Sequence, residues 1–373
     1  MSDQLTPVFR QYNRIKELHR DSILFFRMGD FYEMFLEDAK IASEILNIAL
    51  TSRDSNRKEN RIPMCGVPYH AARSYIAKLL RAGKTVAICE QVEDPKASKG
   101  LVRREVVRVI TPGTVLEPEL LDENTNNYLA SVCIDKAAIG VAFADVSTGE
   151  FLATQREGSD TGKLVVEELL RIGPSECILA ASTLDSTLKA LLDKHCPGIA
   201  LRPIEDWVFA PAQAVSLITA HYELHSLTGL GLDNAPLATS AVGAVLHYLK
   251  ETYRASLHHL RRPTPFVRSE YMVLDSNTQR NLELLCTFQD RSKRGSLLGV
   301  LDSTITSLGG RKLRTWITQP LMAVERIAAR QEAVAELAGS NSLRLRIRNT
   351  LKEVHDIERL LGRISGPGAN ARD

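Results

Sequence analysis

The sequence predicts a multidomain chain, α/β over residues 1–256 and all-α from residue 257 onward. Three observations predict it. Up to residue 256, strand-like apolar runs alternate with stretches whose apolar residues recur every three or four positions. Beyond that point only the helical period persists. The charge also changes sign at matching places. Residues 1–116 carry 19 basic and 14 acidic side chains (net +5), residues 117–256 carry 9 and 19 (net −10), and residues 257–373 carry 19 and 12 (net +7). The 373 residues therefore divide into domains at 1–116, 127–256 and 257–373, joined by a linker at 117–126. That linker lies in "TPGTVLEPELLDENTNN" (111–127), whose two prolines and acidic cluster mark a connecting segment.

In the first domain, "TPVFRQYNRIKELHR" places Val8, Phe9, Tyr12, Ile15 and Leu18 at helical spacing behind the start signal Thr6-Pro7. "ILFFRM" reads as a buried strand, and "EDAKIASEILNIAL" returns to the helical period. "TSRDSNRKENR" (51–61) reads as a basic loop, and "PYHAARSYIAKLLRAG" as a helix capped by Gly83. "TVAICEQ" and "REVVRVIT" are strands. The second domain opens with three strand-like runs, "YLASVCI", "AIGVAFADV" and "GEFLATQ", joined by short turns as in an antiparallel meander. Helix, strand, helix and strand follow in "KLVVEELLRIG", "ECILA", "STLDSTLKALLDKH" and "IALRPI", and helices over 211–226 and 240–258 close the domain. The third domain reads as helices at "DSNTQRNLELLCTF", "GGRKLRTWITQP" and "AVERIAARQEAVAELAG". A last amphipathic pattern, "SLRLRIRNTLKEVHDIERLLGRI", reads as one helix of 23 residues. Helices with so few partners do not bury their apolar faces alone, so a longer parent chain is expected.

The N-terminus "MSDQLTPVFR" has no apolar core of a signal peptide, and no apolar run reaches the ~18 residues of a membrane span. The six cysteines form no CxxC pair, and the nearest two, Cys177 and Cys196, are 19 residues apart. That argues against a zinc knuckle or a disulfide framework and for a reducing, cytoplasmic setting. The basic domains fit a polyanion partner, whereas the acidic one between them fits a protein-facing or solvated role.

Three motifs invite a chemical reading. "RAGKT" (81–85) ends like a phosphate-binding loop, but Lys78 stands where the first glycine belongs. The stretch also closes a helix and opens a strand, the reverse of such a loop. Asp145 and Glu150 flank a turn between strands, where a nuclease would hold metal ions, but metal-assisted cleavage needs more converging carboxylates and they read as turn residues. No HExxH pattern occurs. The third motif is "RMGDFYEMF" (27–35). Its bland reading is a tight turn with aromatic core residues. Its functional reading is that Phe31 and Glu33, two apart in extended chain, share one face. An aromatic wedge beside one hydrogen-bonding group on a basic module suits insertion into a DNA minor groove. Arg53, Arg57, Lys58, Arg61, Lys96, Lys99, Arg103 and Arg104 are the candidates for holding phosphates.

At these residues the chain resembles the bacterial MutS family of DNA mismatch repair proteins. The resemblance is an ordered series: "FFRMGDFYEMF", "IPMCGVPYHA", "VAICEQVEDP", "VVRVITPGT", "DVSTGEF", "LDSNTQRNLEL" and "LGGRKLRTWITQPL". It implies a mixed α/β mismatch-recognition domain, a ribonuclease-H-like α/β connector without nuclease activity, and the start of a helical core and lever. It implies Phe31 as the intercalating wedge and Glu33 as the hydrogen-bonding partner of the displaced base. Met28, Gly29, Asp30, Tyr32 and the "PMCG" loop at Met64 would shape the motif or lie near the kinked DNA. It further implies double-stranded DNA with mismatches or small loops as ligand, a MutL-type partner through the connector, and a homodimer. ATP and magnesium would serve an ATPase domain absent from these residues. Two other readings stay open, a ribonuclease-H-like nuclease fragment and a partner-binding fragment without DNA affinity.

With no phosphate-binding loop in the sequence, these 373 residues are expected to bind no ATP. Saturable binding in calorimetry at micromolar nucleotide would contradict this.

Overall fold

The computed structural model describes residues 6–53, 62–93, 102–253 and 257–365. Two compact units emerge: Met1–Val115 with Leu249–Ser256, and Leu116–Tyr248 with Leu257–Asp373.

The first unit begins with α1 (Pro7–Leu18), whose first turn is closed by the Thr6 carbonyl accepting from the Phe9 and Arg10 amides. β1 (Ser22–Met28), β2 (Phe31–Phe35), α2 (Leu36–Leu46), β3 (Thr51–Arg53), β4 (Ile62–Pro68), α3 (Ala72–Arg81), β5 (Thr85–Gln91) and β6 (Arg104–Ile110) follow. The strands form one sheet in the order β3-β4-β2-β1-β5-β6, with β1 parallel to β5 and all other neighbours antiparallel. Alternate side chains feed opposite faces. Leu24, Phe26, Phe35, Cys89 and Val106 pack with Phe9 and Tyr12 of α1. Tyr32, Met34, Cys65 and Val67 are buried on the other face, where the Cys65 thiol reaches the Ala39 carbonyl of α2. The buried Asp38 is anchored by Lys16 Nζ (2.8 Å), the Tyr12 hydroxyl (3.3 Å) and the Leu24 amide (3.0 Å). A buried carboxylate is tolerable only when paired and hydrogen-bonded in this way.

The second unit contains β7 (Tyr128–Asp135), β8 (Ala138–Asp145) and β9 (Glu150–Glu157) as the expected meander. Then come α4 (Thr161–Ile172), β10 (Glu176–Ala180), α5 (Ser186–His195), β11 (Ala200–Ile204), α6 (Pro211–Tyr222) and α7 (Pro236–Tyr253), whose residues from Leu249 onward are counted with the first unit. The two-residue β12 (Thr264–Pro265) completes a sheet of order β11-β10-β7-β8-β9-β12, with β10 parallel to both β7 and β11. Gly140 allows α7 to approach β8: a Cβ there would lie 2.0 Å from the Leu237 carbonyl carbon. The remaining helices are α8 (Ser276–Asn281), α9 (Leu297–Leu301), α10 (Ser307–Thr318), α11 (Val324–Gly339), α12 (Asn341–Leu351) and α13 (Ile357–Ile364). The chain thus has the α/β parts and the helical segment expected from its sequence. Among the described residues no helix is long and apolar enough to cross a membrane.

Four local expectations are corrected. The 111–127 segment is not a loose linker: Thr111–Leu116 is buried, the Thr111 amide bonds Thr114 Oγ1 (3.1 Å), and the Tyr253 hydroxyl donates to the Thr114 carbonyl. Further along, the Asp122 and Thr125 carbonyls accept from Arg359 (2.9 and 2.7 Å), and the Glu123 carbonyl accepts from Arg311 (3.0 Å). The "PMCG" stretch is strand, not loop, because β4 pairs with β2 along its length. The helix at "DSNTQRNLELLCTF" ends at Asn281, and Glu283 turns left-handed with φ +48°. The 23-residue amphipathic pattern breaks into α12 and α13, because Asp356 caps α13 through the Arg359 amide (3.3 Å) while its carboxylate grips Arg311 (2.7 and 2.8 Å). A side chain that bonds the backbone locally competes with helix continuation.

Burial pushes the Cys65, Cys133 and Cys196 thiols up to about 11 and Cys89 to about 12, and raises Cys177 further. Cys286 is exposed. Since the thiolate is the nucleophile, a native sample titrated with a disulfide reagent near pH 8 should show one fast thiol, removed by Cys286→Ser. Several fast thiols would contradict the packing described.

Candidate nucleic-acid interface

The candidate site is the β1–β2 hairpin and the strand beside it. Met28 pairs with Phe31 across a two-residue loop, Gly29-Asp30. Gly29 has φ +59° and Asp30 does not share the left-handed region, the pattern of a type II′ turn. A glycine is required there by backbone conformation, since nothing lies within 4 Å of a Cβ at Gly29. The Asp30 carbonyl accepts the Tyr69 amide (3.0 Å), tying the loop to the end of β4.

β2 then alternates. Tyr32 and Met34 are buried, whereas Phe31 is 46% exposed and Glu33 half-buried. Phe31 and Glu33 belong to the same sheet face as Phe26 and Phe35, but lie toward the end where the packed core gives out. Their neighbours on β4 are Pro68 opposite Phe31 and Gly66 opposite Glu33. An exposed glycine at 66 leaves a notch: a Cβ there would stand 3.7 Å from Glu33 Cγ and 3.9 Å from a Phe31 ring carbon. Met28 and Met64 are half-buried and pack at the margin of the core on this face.

The hairpin is braced from the opposite face. Arg27 Nε donates to the Gly29 carbonyl (2.6 Å), and its guanidinium lies 3.7 Å from the Tyr69 ring centroid and 5.5 Å from that of Tyr32. The Tyr32 hydroxyl donates to Glu90, and burial together with that carboxylate raises the phenol's pKa. Arg27, Gly66, Tyr69 and Glu90 were not singled out in the sequence. Their role depends on cross-strand neighbours, and no local spacing announces it.

The phosphate candidates fare unevenly. Arg57, Lys58, Arg61, Lys96 and Lys99 lie outside the described residues, as does the side chain of Arg53, which ends β3. Arg103 is exposed and paired with Glu105. Arg104 is a correction. It is only 8% exposed, and its guanidinium donates to the Arg27 carbonyl (2.7 Å), the Val102 carbonyl (3.0 Å) and Gln11 Oε1 (3.2 Å) while stacking 5.0 Å from the Phe26 ring centroid. So enclosed, it is not a surface contact for phosphate.

The second unit's carboxylates are committed to structure. Asp145 is fully buried and accepts from Asn126 Nδ2 (3.0 Å), the Asn127 amide (3.1 Å), and the Ser147 amide and hydroxyl (2.9 and 2.6 Å). Glu150 accepts the Tyr128 hydroxyl (2.6 Å), and burial raises its pKa. Among the described residues no group of three or more His, Cys, Asp or Glu side chains could hold a metal ion. His221 and His225 stand four apart in the sequence, but α6 ends at Tyr222 and Glu223 is left-handed (φ 52°), so no helical face carries both.

Comparison with known proteins completes the description. Residues 6–119 match the model of MutS domain I, residues 127–261 that of MutS domain II, and residues 277–373 that of MutS domain III. The chain belongs to the MutS family. It is 46% identical over 373 residues to the DNA mismatch repair protein MutS of Symbiobacterium thermophilum, covering 99% of this chain and 42% of that protein. It is 45% identical over 370 residues to MutS of Lachnoclostridium phytofermentans (99% and 39%) and 46% identical over 370 to MutS of Myxococcus xanthus (99% and 41%). The chain thus spans about two fifths of these curated relatives' length, the part holding MutS domains I to III.

Exposure decides the energetics of the hairpin. Phe31→Ala should cost well below the ~3–5 kcal/mol typical of a core phenylalanine, whereas Phe26→Ala and Phe35→Ala, at 0% and 1% exposure, should reach that range. Urea denaturation of the three variants measures this, and equal losses would make Phe31 a core residue.

Proposed function

We propose that this chain is the mismatch-sensing part of a DNA mismatch repair protein, with Phe31 as wedge and Glu33 as hydrogen-bonding partner of the displaced base. The observation that carries this is a large aromatic side chain standing 46% exposed on a braced hairpin, with a carboxylate two residues on, in a domain matching MutS domain I. An exposed phenylalanine held so firmly has no packing role that would account for it.

The physics follows from the ligand. A sensor of many mispairs gains little from the base-edge code of the major groove; it reads deformability. Inserting Phe31 from the minor groove unstacks one base step and kinks the duplex, which costs least where pairing is already defective. Stacking on the ring tolerates any base because every base has a π-face. Glu33 repels phosphates, so it weakens binding to intact duplex, yet it accepts from an N–H of a displaced base. The basic side chains of the domain supply affinity without sequence information. Gly66 places no side chain between Phe31 and Glu33 on that face.

For the acidic connector, net −10 over residues 117–256, we propose a protein partner of MutL type rather than DNA. ATP with magnesium, and the homodimer, belong in this reading to the complete family architecture.

The test is duplex binding by this chain, and by the same chain extended with the remainder of a relative, using G·T-containing and matched DNA. Phe31→Ala should lower the ratio of affinities by about 5- to 150-fold, the worth of one aromatic–base stack at roughly 1–3 kcal/mol. Glu33→Ala should raise affinity for matched DNA while the ratio falls. An extended chain that binds both duplexes equally, or a Phe31→Ala variant that discriminates as well as its parent, would overturn the reading.

A further inference from the structure

The Gly29-Asp30 turn beside Phe31 is anchored more firmly than its exposure requires. Both residues are exposed, and nothing lies within 4 Å of where a Cβ would stand on Gly29. A solvated hairpin tip of this kind ordinarily frays. Here both of its carbonyls are taken. Arg27 Nε donates to the Gly29 carbonyl (2.6 Å), and the Tyr69 amide donates to the Asp30 carbonyl (3.0 Å). The two donor residues also touch each other, with the centre of the Arg27 guanidinium 3.7 Å from the Tyr69 ring centroid. The contacts therefore close a ring through Gly29, Arg27, Tyr69 and Asp30.

That ring is tied to the core. The Arg27 guanidinium also lies 5.5 Å from the ring centroid of Tyr32, its cross-strand partner on the same face. Tyr32 is buried, its ring centroid stands 5.7 Å from that of Phe25, and its hydroxyl donates to Glu90 of β5. Phe31 lies on the opposite face. It pairs with Met28 just inside the turn and with Pro68, the residue before Tyr69.

We propose that Arg27 is a positioning residue for Phe31: stacked on Tyr69, it locks the turn from behind and fixes the angle at which the Phe31 ring leaves the sheet. This rests on the mismatch-sensing reading of Phe31 and adds the group that backs it. A half-exposed ring takes little direction from its own packing, so the backbone on either side must supply it. A base step forced apart pushes back on the ring, and an untied hairpin end would yield. Arginine suits the task, because its planar guanidinium stacks on an aromatic face while Nε still presents an N–H to a carbonyl. A lysine ammonium does not do both. Arg27 thus acts through shape, whereas the basic side chains that supply affinity act through charge.

The first experiment needs no DNA. Amide hydrogen exchange is followed at Tyr69, whose N–H holds the Asp30 carbonyl, and at Leu24, whose N–H is held by Asp38 in the core. In Arg27→Met and in Tyr69→Leu the Tyr69-position amide, corrected for its intrinsic rate, should exchange about fivefold faster, the size of one cation–aromatic contact. Leu24 should not change, and Tyr69→Phe, which keeps the ring face, should match the parent. Unchanged exchange at position 69, or equal acceleration at Leu24, overturns the proposal.

The second experiment is duplex binding by the extended chain. Arg27→Met and Arg27→Lys should each lower the G·T-to-matched affinity ratio about fivefold, for the same reason, and leave matched-duplex affinity and its salt dependence as in the parent. A residue that held a phosphate would weaken both duplexes alike and reduce the salt slope by about one. That result, or a parental ratio in Arg27→Lys, refutes the proposal. If the parent does not discriminate mismatched DNA, the mismatch-sensing reading fails, while the exchange experiment still decides whether Arg27 and Tyr69 hold the turn.

Discussion

The alternation of β2 across the sheet is the constraint on which the candidate site depends. Five residues, Phe31–Phe35, carry two different jobs, and strand geometry separates them by parity. Tyr32 and Met34 enter the core on one face, and Phe35 enters it on the other. Phe31 and Glu33 share the face of Phe35 but stand nearer the open end of the hairpin. A slip of one residue in the β1–β2 register would move Phe31 and Glu33 to the face now held by Tyr32 and Met34. Register is held by the left-handed Gly29, by the Asp30–Tyr69 backbone bond, and by an arginine on each face. The proposed wedge role would need a rigid support, and the fold supplies rigidity at Phe31 from backbone bonds and cation–aromatic stacking rather than from burial of that side chain itself.

The second unit uses buried charge in a different way. Glu168, almost wholly enclosed, takes hydrogen bonds from Arg156 (3.0 Å), Arg171 (2.7 and 2.9 Å) and Arg268 (3.2 Å). Asp145 stiffens the turn after β8. Arg311 and Arg359 fasten the backbone of residues 122–125 to α10 and α13. Removing one partner from such a pair leaves an uncompensated buried charge, which costs far more than the pair itself contributes. Asp145 ends a sheet strand and Glu168 lies on α4, and the oxygens of both are taken up by amides, hydroxyls and guanidinium groups. Sheet architecture alone says nothing about chemistry; the second unit shows why, residue by residue.

Sequence by itself determined much of this protein. The helical and strand periods are local, so α1, β1, α2, the meander of β7 to β9 and the alternation through β11 were legible without coordinates. So were the Gly83 terminus of α3 and the Phe-x-Glu pair, because two residues apart in a strand means one face whatever the strand pairs with. Family membership was legible for the same reason, as blocks of residues in order. The tertiary structure decided what depends on partners distant in sequence. Arg104 looks like any surface arginine in "LVRREVVRV", and only the β1–β5–β6 pairing carries it over Phe26 and Arg27, 77 residues away. The acidic, proline-bearing 111–127 segment reads as a linker, but Tyr253, Arg311 and Arg359 occupy its carbonyls. The last amphipathic pattern reads as one helix, but Asp356 is worth more as a cap and as a partner for Arg311 than as a helical residue. Local periodicity reports which side of an element faces inward. Which charge meets which is settled only when the chain has closed, because a hydrogen bond depends on ångströms of approach that no sequence spacing encodes.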